Sequence, residues 1–290
     1  MKSIVIIYHN DEDGFGGAWA AWKKFENKAS YIAADFQMTP LEDIKNKEIY
    51  FIDFCYPQKE IMKKLLANNK KVVVLDHHVS AKDVCKISTE FVYGENNSGS
   101  VLAWKYFHPK KKMPKLLNYV EDGDLYRFKN KFSKEILASL FTYDLNFSGW
   151  DKIAKQLENK KTAKKFIDEG SAIMKYEKKI VFDLIRKGIN VTIGGEKAIA
   201  VNSPVLESEI GNCIYNNKGL IGLIWSIRNG KMKVSLRSGG NIDVSKVANK
   251  FGGGGHKYAS GFWLEYKGEF PWKTVNYKIK KTLKQKNKNG

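Results

Sequence analysis

The stretch that indicates the fold most directly is VVVLDHH, residues 72–78, where four apolar residues lead into one acid and two adjacent histidines. A short run of valine and leucine is typical of a strand that is buried on both faces, as in a parallel sheet. Such a strand would deliver Asp76, His77 and His78 together at its carboxyl end. Ligands bind outside the carboxyl ends of strands in open α/β sheets, so the sequence predicts a functional site there.

Two similar apolar runs precede this strand, and a helical pattern follows each of them. The runs are SIVIIYH (3–9) and IYFIDF (49–54). The segments after them, GFGGAWAAWKKFEN and QKEIMKKLLANN, repeat their apolar residues at helical spacing. This alternation predicts an α/β fold whose N-terminal part is a doubly wound, mostly parallel sheet.

A change of pattern along the chain predicts the domain organisation. Charged amphipathic helices are indicated over residues 151–188, and short strands and turns follow. We therefore expect a catalytic, metal-binding domain over 1–150, a helical connector over 151–188 and a smaller C-terminal α/β domain over 189–290, with the active-site cleft between the two domains. The basic last segment, VNYKIKKTLKQKNKNG, is expected to fray.

The composition describes a basic chain of ordinary hydrophobicity. Its 290 residues include 50 lysines and arginines against 31 acids, which gives a net charge of +19 at pH 7. Such a field attracts polyanions such as nucleotides and nucleic acid. The excess is mostly lysine spread over the whole chain, so a compositional bias explains it equally well. No apolar run approaches the roughly 18 residues that a membrane helix needs, so we expect no membrane partner.

The three cysteines, Cys55, Cys85 and Cys213, lie far apart and show no CxxC spacing. This spacing argues against a disulfide framework and against a thiolate zinc site. We interpret each cysteine as a small hydrophobic residue, buried or partly buried. Reduced thiols and the lack of an export signal favour a cytoplasmic location.

The polar residues that follow the three strands form a set too large for one metal ion. The set comprises His9, Asp11, Asp13, Asp53, Asp76, His77, His78 and an acid of the later stretch EDGDL. Taken singly, the first two aspartates would be interpreted as helix N-caps. Carboxylates and imidazoles without cysteine suit divalent ions such as Mn²⁺ or Fe²⁺, which would also neutralise the repulsion between the acids. A pair of such ions favours in-line attack on a phosphate.

Two motifs resemble those of a known family. HNDEDG together with DHH resembles the DHH phosphoesterase superfamily, and FGGGGHKYASG resembles the glycine-rich motif of the DHH-associated C-terminal domain. The resemblance covers nearly the whole chain. It implies an enzyme, a metal-dependent phosphoesterase that hydrolyses phosphoric ester bonds.

The resemblance implies a role for each matching residue of the metal site. His9 and Asp11 would bind one Mn²⁺, Asp13 and His77 would bind a second, and Asp53 would bridge the two ions. Mg²⁺, Co²⁺ or Fe²⁺ are the alternatives to Mn²⁺.

The fourth motif departs from the DTG sequence that is common in the family and reads VEDGDLYRF. Its metal ligand would be Asp122 or Asp124. We favour Asp122, which stands at the expected end of a helix.

The remaining roles concern the substrate. Asp76 would orient its neighbours, His78 would contact the scissile phosphate, and Arg237 with Ser238 would bind a terminal phosphate and stabilise developing charge. The glycine-rich loop would approach the substrate closely through Gly253, Gly254, Gly255 and His256.

The expected activity is that of a Mn²⁺-dependent phosphodiesterase that hydrolyses oligonucleotides a few nucleotides long to mononucleotides. The attacking group would be a metal-bound hydroxide, in line with the leaving oxygen. The alternatives are a cyclic (di)nucleotide phosphodiesterase, a phosphatase acting on pAp, and a non-catalytic RNA-binding module. Homodimers are common in similar proteins, so a second copy of the chain is a further expected partner.

Overall fold

The computed structural model describes residues 1–35 and 38–275. The chain divides into two compact units, Met1–Met174 and Lys175–Gly290. The division falls inside the segment 151–188 that we expected to be a helical connector. The basic end of the chain that we expected to fray, from residue 276 onwards, lies outside the described residues.

The N-terminal unit contains a five-stranded sheet in which every pairing is parallel. Its strands are β1 (Ile4–His9), β2 (Ala29–Ala34), β3 (Glu48–Ile52), β4 (Lys71–Asp76) and β5 (Glu90–Tyr93). They lie in the order β2-β1-β3-β4-β5. The prediction of an α/β fold with a parallel N-terminal sheet is confirmed.

Eight helices accompany this sheet in the described residues before Lys187. They are α1 (Glu12–Phe25), α2 (Lys59–Asn68), α3 (Lys82–Cys85), α4 (Gly99–Phe107), α5 (Lys115–Asp124), α6 (Ser133–Leu140), α7 (Phe147–Glu158) and α8 (Lys160–Arg186). Short 3₁₀ turns lie at Glu26–Lys28 and Val79–Ala81. The division between the two units falls within α8.

The strands β1, β3 and β4 of this sheet are largely apolar because helices cover both of its faces. In β4, Val73 and Leu75 join the core that also contains Trp19 of α1, whereas Val72 and Val74 join a second core with Met62 of α2. Successive side chains of a strand point to opposite faces, so continuous apolar runs are required here. The same pattern made the strand recognisable in the sequence.

The strand order reverses between β1 and β3. From β1 the chain first adds β2 on one side of the sheet, and it then adds β3, β4 and β5 on the other side. In open α/β sheets the crevice at such a reversal, outside the carboxyl ends of the strands, is where ligands bind. The fold therefore places any site of this unit near the ends of β1 and β3.

The second unit contains a seven-stranded mixed sheet in the order β10-β11-β9-β8-β7-β6-β12. Its elements are β6 (Ile189–Ile193), β7 (Glu196–Asn202), α9 (Glu207–Lys218), β8 (Ile221–Arg228), β9 (Lys231–Arg237), α10 (Val244–Asn249), β10 (Gly254–Gly255), β11 (Ala259–Glu265) and β12 (Lys273–Thr274). Only β7 and β8 pair in parallel among the described strands of this sheet. This is the smaller C-terminal α/β part that the sequence predicted.

Across the described ranges, the helices are all too short or too polar to cross a lipid bilayer.

Candidate metal centre

Three neighbouring strands deliver polar residues to one edge of the N-terminal sheet. β1 ends at His9, β3 ends directly before Asp53, and β4 ends at Asp76, which His77 and His78 follow. Because parallel strands share an edge at their carboxyl ends, these side chains converge. The structure thus brings together the residues that the sequence singled out at the three strand ends.

Asp11 joins the end of β1 to the start of α1. Its Oδ1 accepts a hydrogen bond from Gly14 N at 2.9 Å and caps α1, while its Oδ2 lies 2.6 Å from His9 Nδ1. A Cβ atom on Gly14 would lie 2.2 Å from His9 O, so only glycine fits this close turn. Burial alone would raise the pKa of Asp11, but hydrogen bonds with His9 and Gly14 hold it below its usual value. The helix cap and the candidate ligand are therefore the same carboxylate.

Asp13 is a buried carboxylate that caps a helix distant in sequence. Its Oδ2 accepts a hydrogen bond from Gly99 N at 2.6 Å, and its Oδ1 accepts one from Ser100 N at 3.1 Å. Ser98, at the N-cap of α4, makes no capping bond of its own, so Asp13 fulfils that role. Burial raises the pKa of Asp13. The contribution of α4 was not predicted, because no local pattern signals a partner so far along the chain.

Asp53 occupies the centre of the cluster in a strained backbone conformation, with a φ of 56°. Its N–H donates to Leu75 O at 2.9 Å, which fixes it beside β4. Its Oδ1 lies 3.1 Å from His77 Nε2, and its Oδ2 lies 3.8 Å from His9 Nδ1. Burial, followed by repulsion from Asp13 and other acids, raises the pKa of Asp53 well above its usual value.

Asp76 holds the two histidines that follow it. Its Oδ1 accepts hydrogen bonds from His77 N at 2.7 Å, from His78 N at 3.1 Å and from His78 Nδ1 at 2.8 Å. The hydrogen bond with Asp76 raises the pKa of His78, whereas burial lowers that of His77. Burial alone would raise the pKa of Asp76, but its bonds with His78 hold it low. Asp76 Oδ1 therefore fixes the backbone of both histidines and the ring of His78.

The two acids at the end of α5 have different environments. Asp122 accepts hydrogen bonds from Lys129 N and Asn130 N, both at 2.9 Å, and so organises the loop after α5. Asp124 Oδ2 lies 3.6 Å from His77 Nε2, and burial with repulsion from Asp13 raises the pKa of Asp124 to about 7. Residues two apart on a helix face nearly opposite sides, so only one of them can reach the cluster. The geometry does not support our preference for Asp122 and places Asp124 with the other candidate ligands.

The ligand atoms of the cluster fall into three overlapping groups, each within 4.8 Å: His9–Asp11–Asp53, Asp53–His77–His78 and Asp13–His77–Asp124. Asp53 Oδ1 and His77 Nε2 are buried 3.1 Å apart without the geometry of a hydrogen bond, and within the described residues neither atom has a hydrogen-bond partner. Buried polar atoms are rarely left in this state, and several carboxylates so close together repel one another. Carboxylates and imidazoles are also the donors that Mn²⁺ and related ions use. The residues therefore fit a pair of divalent cations that shares Asp53.

In the second unit, Arg237 and Ser238 lie at the end of β9. Arg237 Nη2 donates to Ser208 Oγ at 3.1 Å, which ties the guanidinium to the first turn of α9. Ser238 Oγ donates to Ile242 O at 2.6 Å, so its hydroxyl proton serves the turn that follows the strand. Of the two, Arg237 has the donors left over for a ligand, because a guanidinium carries five N–H groups.

The glycine-rich loop forms a tight turn into β10 and β11. A Cβ atom on Gly253 would lie 2.2 Å from Gly261 O, and Gly255 has a φ of 132°, so both positions require glycine. Gly254 and Gly255 pair with β11 as the short strand β10. His256 N donates to Ala259 O at 2.8 Å, and His256 is exposed.

A cavity of about 340 Å³ lies on the sheet of the second unit beside Arg237. Lys233 Nζ and Ser235 Oγ both donate to the carboxylate of Glu207, at 3.0 and 2.6 Å, along one side. Trp263, which is 48% exposed, pairs across the strands with Lys233. Glu207, Lys233, Ser235 and Trp263 were not predicted from the sequence. Of these, Lys233 and Ser235 alternate with Arg237 along β9 and therefore lie on the same face of the sheet.

Comparisons with known proteins agree with this architecture. The model of the DHH family N-terminal domain matches residues 3–142, and the DHHA1 domain model matches residues 208–285. Uncharacterized protein R106 of Acanthamoeba polyphaga mimivirus is 29% identical over 94% of this chain and 70% of its own length.

Three solved structures have similar folds at low sequence identity. A DHH domain from a protein described as a member of a ribosomal protein family superposes with a TM-score of 0.58 at 14% identity, covering 94% of this chain and 83% of that one. RecJ of Thermus thermophilus, solved with Mn²⁺, gives 0.53 at 16%, covering 89% and 49%. The pGpG-specific phosphodiesterase PggH of Vibrio cholerae gives 0.51 at 13%, covering 91% and 94%. With a DHH domain followed by a DHHA1 domain, the chain belongs to the DHH family of metal-dependent phosphoesterases.

Proposed function

We propose that this chain is a Mn²⁺-dependent phosphodiesterase that hydrolyses short oligonucleotides to mononucleotides. The observation that carries the proposal is the overlap of three candidate ligand groups. His9 and Asp11 share a group with the buried Asp53, Asp53 shares a group with His77 and His78, and His77 shares a group with Asp13 and Asp124. Two divalent ions held by these residues would suit in-line displacement at phosphorus, because two-metal sites stabilise both the attacking and the leaving oxygen. Bound divalent ions would supply Lewis acidity at the phosphate and would activate water for the attack.

The protein's own residues orient and stabilise the reacting phosphate. Asp76 engages His78 at Nδ1 and raises its pKa, so Nε2 is the ring atom left to donate to a phosphate oxygen. His78 is 43% exposed at its side chain and is thus open to a ligand. A positioned donor that meets charge developing in the transition state contributes electrostatic stabilisation. We assign this role to His78.

The second unit supports a nucleotide as the substrate. Its cavity beside Arg237 has a volume of about 340 Å³ and is lined by a guanidinium, by the ammonium of Lys233 with its partner Glu207, and by the exposed indole of Trp263. Guanidinium groups bind phosphates in a fork geometry, and nucleobases stack on aromatic side chains. We propose that this cavity binds one end of the oligonucleotide, with Arg237 on a terminal phosphate and the glycine-rich loop alongside.

The substrate panel that tests the proposal separates its alternatives. We would incubate the full chain with Mn²⁺ and a 5′-phosphorylated dinucleotide, a five-nucleotide RNA, a long single strand, a cyclic dinucleotide and pAp, each with an EDTA control. We expect mononucleotides from the two short RNAs, little product from the long strand and no product with EDTA. Parallel reactions with Mg²⁺, Co²⁺ and Fe²⁺ would rank the metals.

A pair of matched variants distinguishes hydrolysis at the metal centre from hydrolysis by contaminating nucleases. Asp53→Asn should abolish product formation, while Asp168→Asn, on the exposed surface of α8, should retain the full rate. Turnover of only the cyclic dinucleotide or pAp would move the activity to that substrate class. Tight RNA binding without hydrolysis of any substrate would contradict the enzyme and favour the RNA-binding module.

A further inference from the structure

Two cysteines that are 30 residues apart in sequence meet in the core next to the metal centre. Cys55 lies in the loop after β3, and Cys85 is the last residue of α3. Their Sγ atoms are 2.6 Å apart, and both side chains are buried, with 1% and 0% exposure. Our interpretation of three separate cysteines did not foresee this contact, because the spacing along the sequence carries no trace of it.

The cysteine pair is connected to the catalytic motif on both sides. Cys55 follows Asp53 by two residues, so it shares the loop that carries the central carboxylate. Cys85 Sγ donates to Asp76 Oδ2 at 3.7 Å, while Asp76 Oδ1 holds His77 and His78. A covalent change at this pair therefore acts on groups that position the candidate ligands.

A metal ion does not explain the approach of the two sulfurs. Two thiolates on one tetrahedral zinc ion have Zn–S bonds of about 2.3 Å, which keeps the sulfurs roughly 3.8 Å apart. The distance between Cys55 Sγ and Cys85 Sγ is far shorter than this. Asp76 is the one further candidate ligand grouped with the two cysteines among the described residues, and the pair otherwise belongs to an apolar core with Tyr56, Met62 and Val84. The distance of 2.6 Å between the two Sγ atoms is closer to the length of a disulfide bond, about 2.05 Å, than to the spacing of two sulfurs on one zinc ion.

We propose that Cys55 and Cys85 form a site of reversible oxidative modification, at which a hydroperoxide converts the two thiols into a disulfide. One thiol attacks the peroxide, becomes a sulfenic acid and releases water; the second thiol then attacks that sulfur, forms the S–S bond and releases a second water. Hydrogen peroxide is thus reduced to two water molecules, and the thiols lose two electrons and two protons. A dithiol reductant reverses the change.

Oxidation has a defined structural consequence. The disulfide has no S–H group, so Asp76 Oδ2 loses the donor that Cys85 provides. The bond also ties the loop after Asp53 to α3, which follows the two histidines. The hydrogen bond with Cys55, together with burial, raises the pKa of the Cys85 thiol.

The test uses the full chain and reads the chemistry directly. The protein is incubated with hydrogen peroxide for increasing times, alkylated in denaturant and digested without reductant for mass spectrometry. We expect a linked peptide that joins Cys55 to Cys85, two hydrogens lighter than its reduced parts and lost on treatment with dithiothreitol. Cys213 should remain alkylated throughout, and Cys213→Ser should give the same linked peptide.

Two outcomes would overturn the proposal. One is that Cys55 and Cys85 stay fully alkylated under conditions that oxidise Cys213. The other is that they accumulate as sulfinic acids without a link.

A second readout does not depend on any variant: the thermal unfolding midpoint of the wild-type chain should rise on oxidation and return on reduction, because a cross-link constrains the unfolded chain. An unchanged midpoint in a sample shown to be linked contradicts the placement in the folded core. Neither readout depends on the proposed nuclease activity.

Discussion

Asp53 is the residue at which the electrostatic conflict of the metal centre is concentrated. It is 1% exposed, and Asp13, Asp11 and Asp124 all raise its pKa by repulsion in addition to the effect of burial. A buried carboxylate among other carboxylates destabilises a folded chain unless cations compensate it. This repulsion between carboxylates is therefore what we expect of a site that binds cations.

Asp53→Asn should make the metal-free protein more stable while it removes the response to metal. The amide removes the repulsion, so we expect the free energy of unfolding in EDTA to rise by about 1 kcal/mol, the scale of a single pKa unit. Mn²⁺ should raise the unfolding midpoint of the wild type markedly and that of the variant little. Thermal denaturation with and without Mn²⁺ measures both effects. An equal Mn²⁺-induced rise in the two proteins would show that Asp53 is not a ligand.

Asp122→Asn and Asp124→Asn form a matched pair that assigns the fourth ligand. Loss of Asp124 should lower Mn²⁺ affinity and reduce the rate by about 100-fold or more, as expected for a residue that contacts the ions. Loss of Asp122 weakens two backbone hydrogen bonds and should cost about 1–3 kcal/mol of stability with near-normal Mn²⁺ affinity. The reverse pattern, with Mn²⁺ affinity lost in Asp122→Asn, would restore our original preference.

The residues of the cluster differed in how well the sequence predicted them. His9, Asp11 and Asp53 were recognised because each follows an apolar run, and strand ends are where ligands gather. The choice between Asp122 and Asp124 was not recoverable, because it depends on which side of α5 faces the sheet. That side is set by tertiary packing, which no local pattern reports.

At the scale of elements, α4 is fixed at both ends by long-range contacts. Its N-terminus is capped by Asp13, and its C-cap residue, His108, lies 2.9 Å from Ala20 O through Nε2. The His108 ring also packs on Trp104, with ring centroids 4.5 Å apart. α4 therefore links the metal centre to α1 through polar contacts as well as through the core.

His108 gives the stability of this contact a defined pH dependence. Burial lowers its pKa below 6.5, so the folded state prefers the neutral ring. Below about pH 6.5 the unfolded chain binds more protons at this position than the folded chain does, so the contribution is present above that pH and is lost as the pH falls. Urea unfolding at pH 7.5 and pH 5.5 should show a smaller loss of stability in His108→Gln than in the wild type. An identical loss in both proteins would contradict this assignment.

In the second unit, the antiparallel strands β9 and β11 present Trp263 opposite Lys233, and the proposed stacking on Trp263 can be tested there. If a nucleobase stacks on Trp263 as proposed, Trp263→Ala should raise KM by about 10-fold or more with little change in kcat, since stacking is worth roughly 1–3 kcal/mol per base. Trp225→Phe, on β8 of the same sheet and packed against Phe270 and Trp272, serves as the control and should leave KM unchanged. Steady-state kinetics on the dinucleotide measures both parameters. Unchanged KM in Trp263→Ala would remove the stacking role.

At the scale of the whole molecule, the architecture was largely predictable and its details were not. Apolar runs indicated β1, β3 and β4 because these strands are buried on both faces. The edge strands β2 and β5 were missed, since edge strands are half-exposed and their sequences, ASYIAA and EFVY, lack a continuous run of large apolar residues. The cysteine contact was missed for a similar reason, because it depends on how α3 packs on the sheet.

The most direct test of the central claim is a metal titration read out by hydrolysis. The full chain, stripped of metal with EDTA and dialysed, is given rising equivalents of Mn²⁺, and mononucleotide release from a 5′-phosphorylated dinucleotide is followed at each step. We expect a rate that rises to a plateau at two equivalents per chain, because the candidate ligand groups suit two ions that share Asp53. A plateau at one equivalent, or no mononucleotide at any Mn²⁺ concentration, would contradict it.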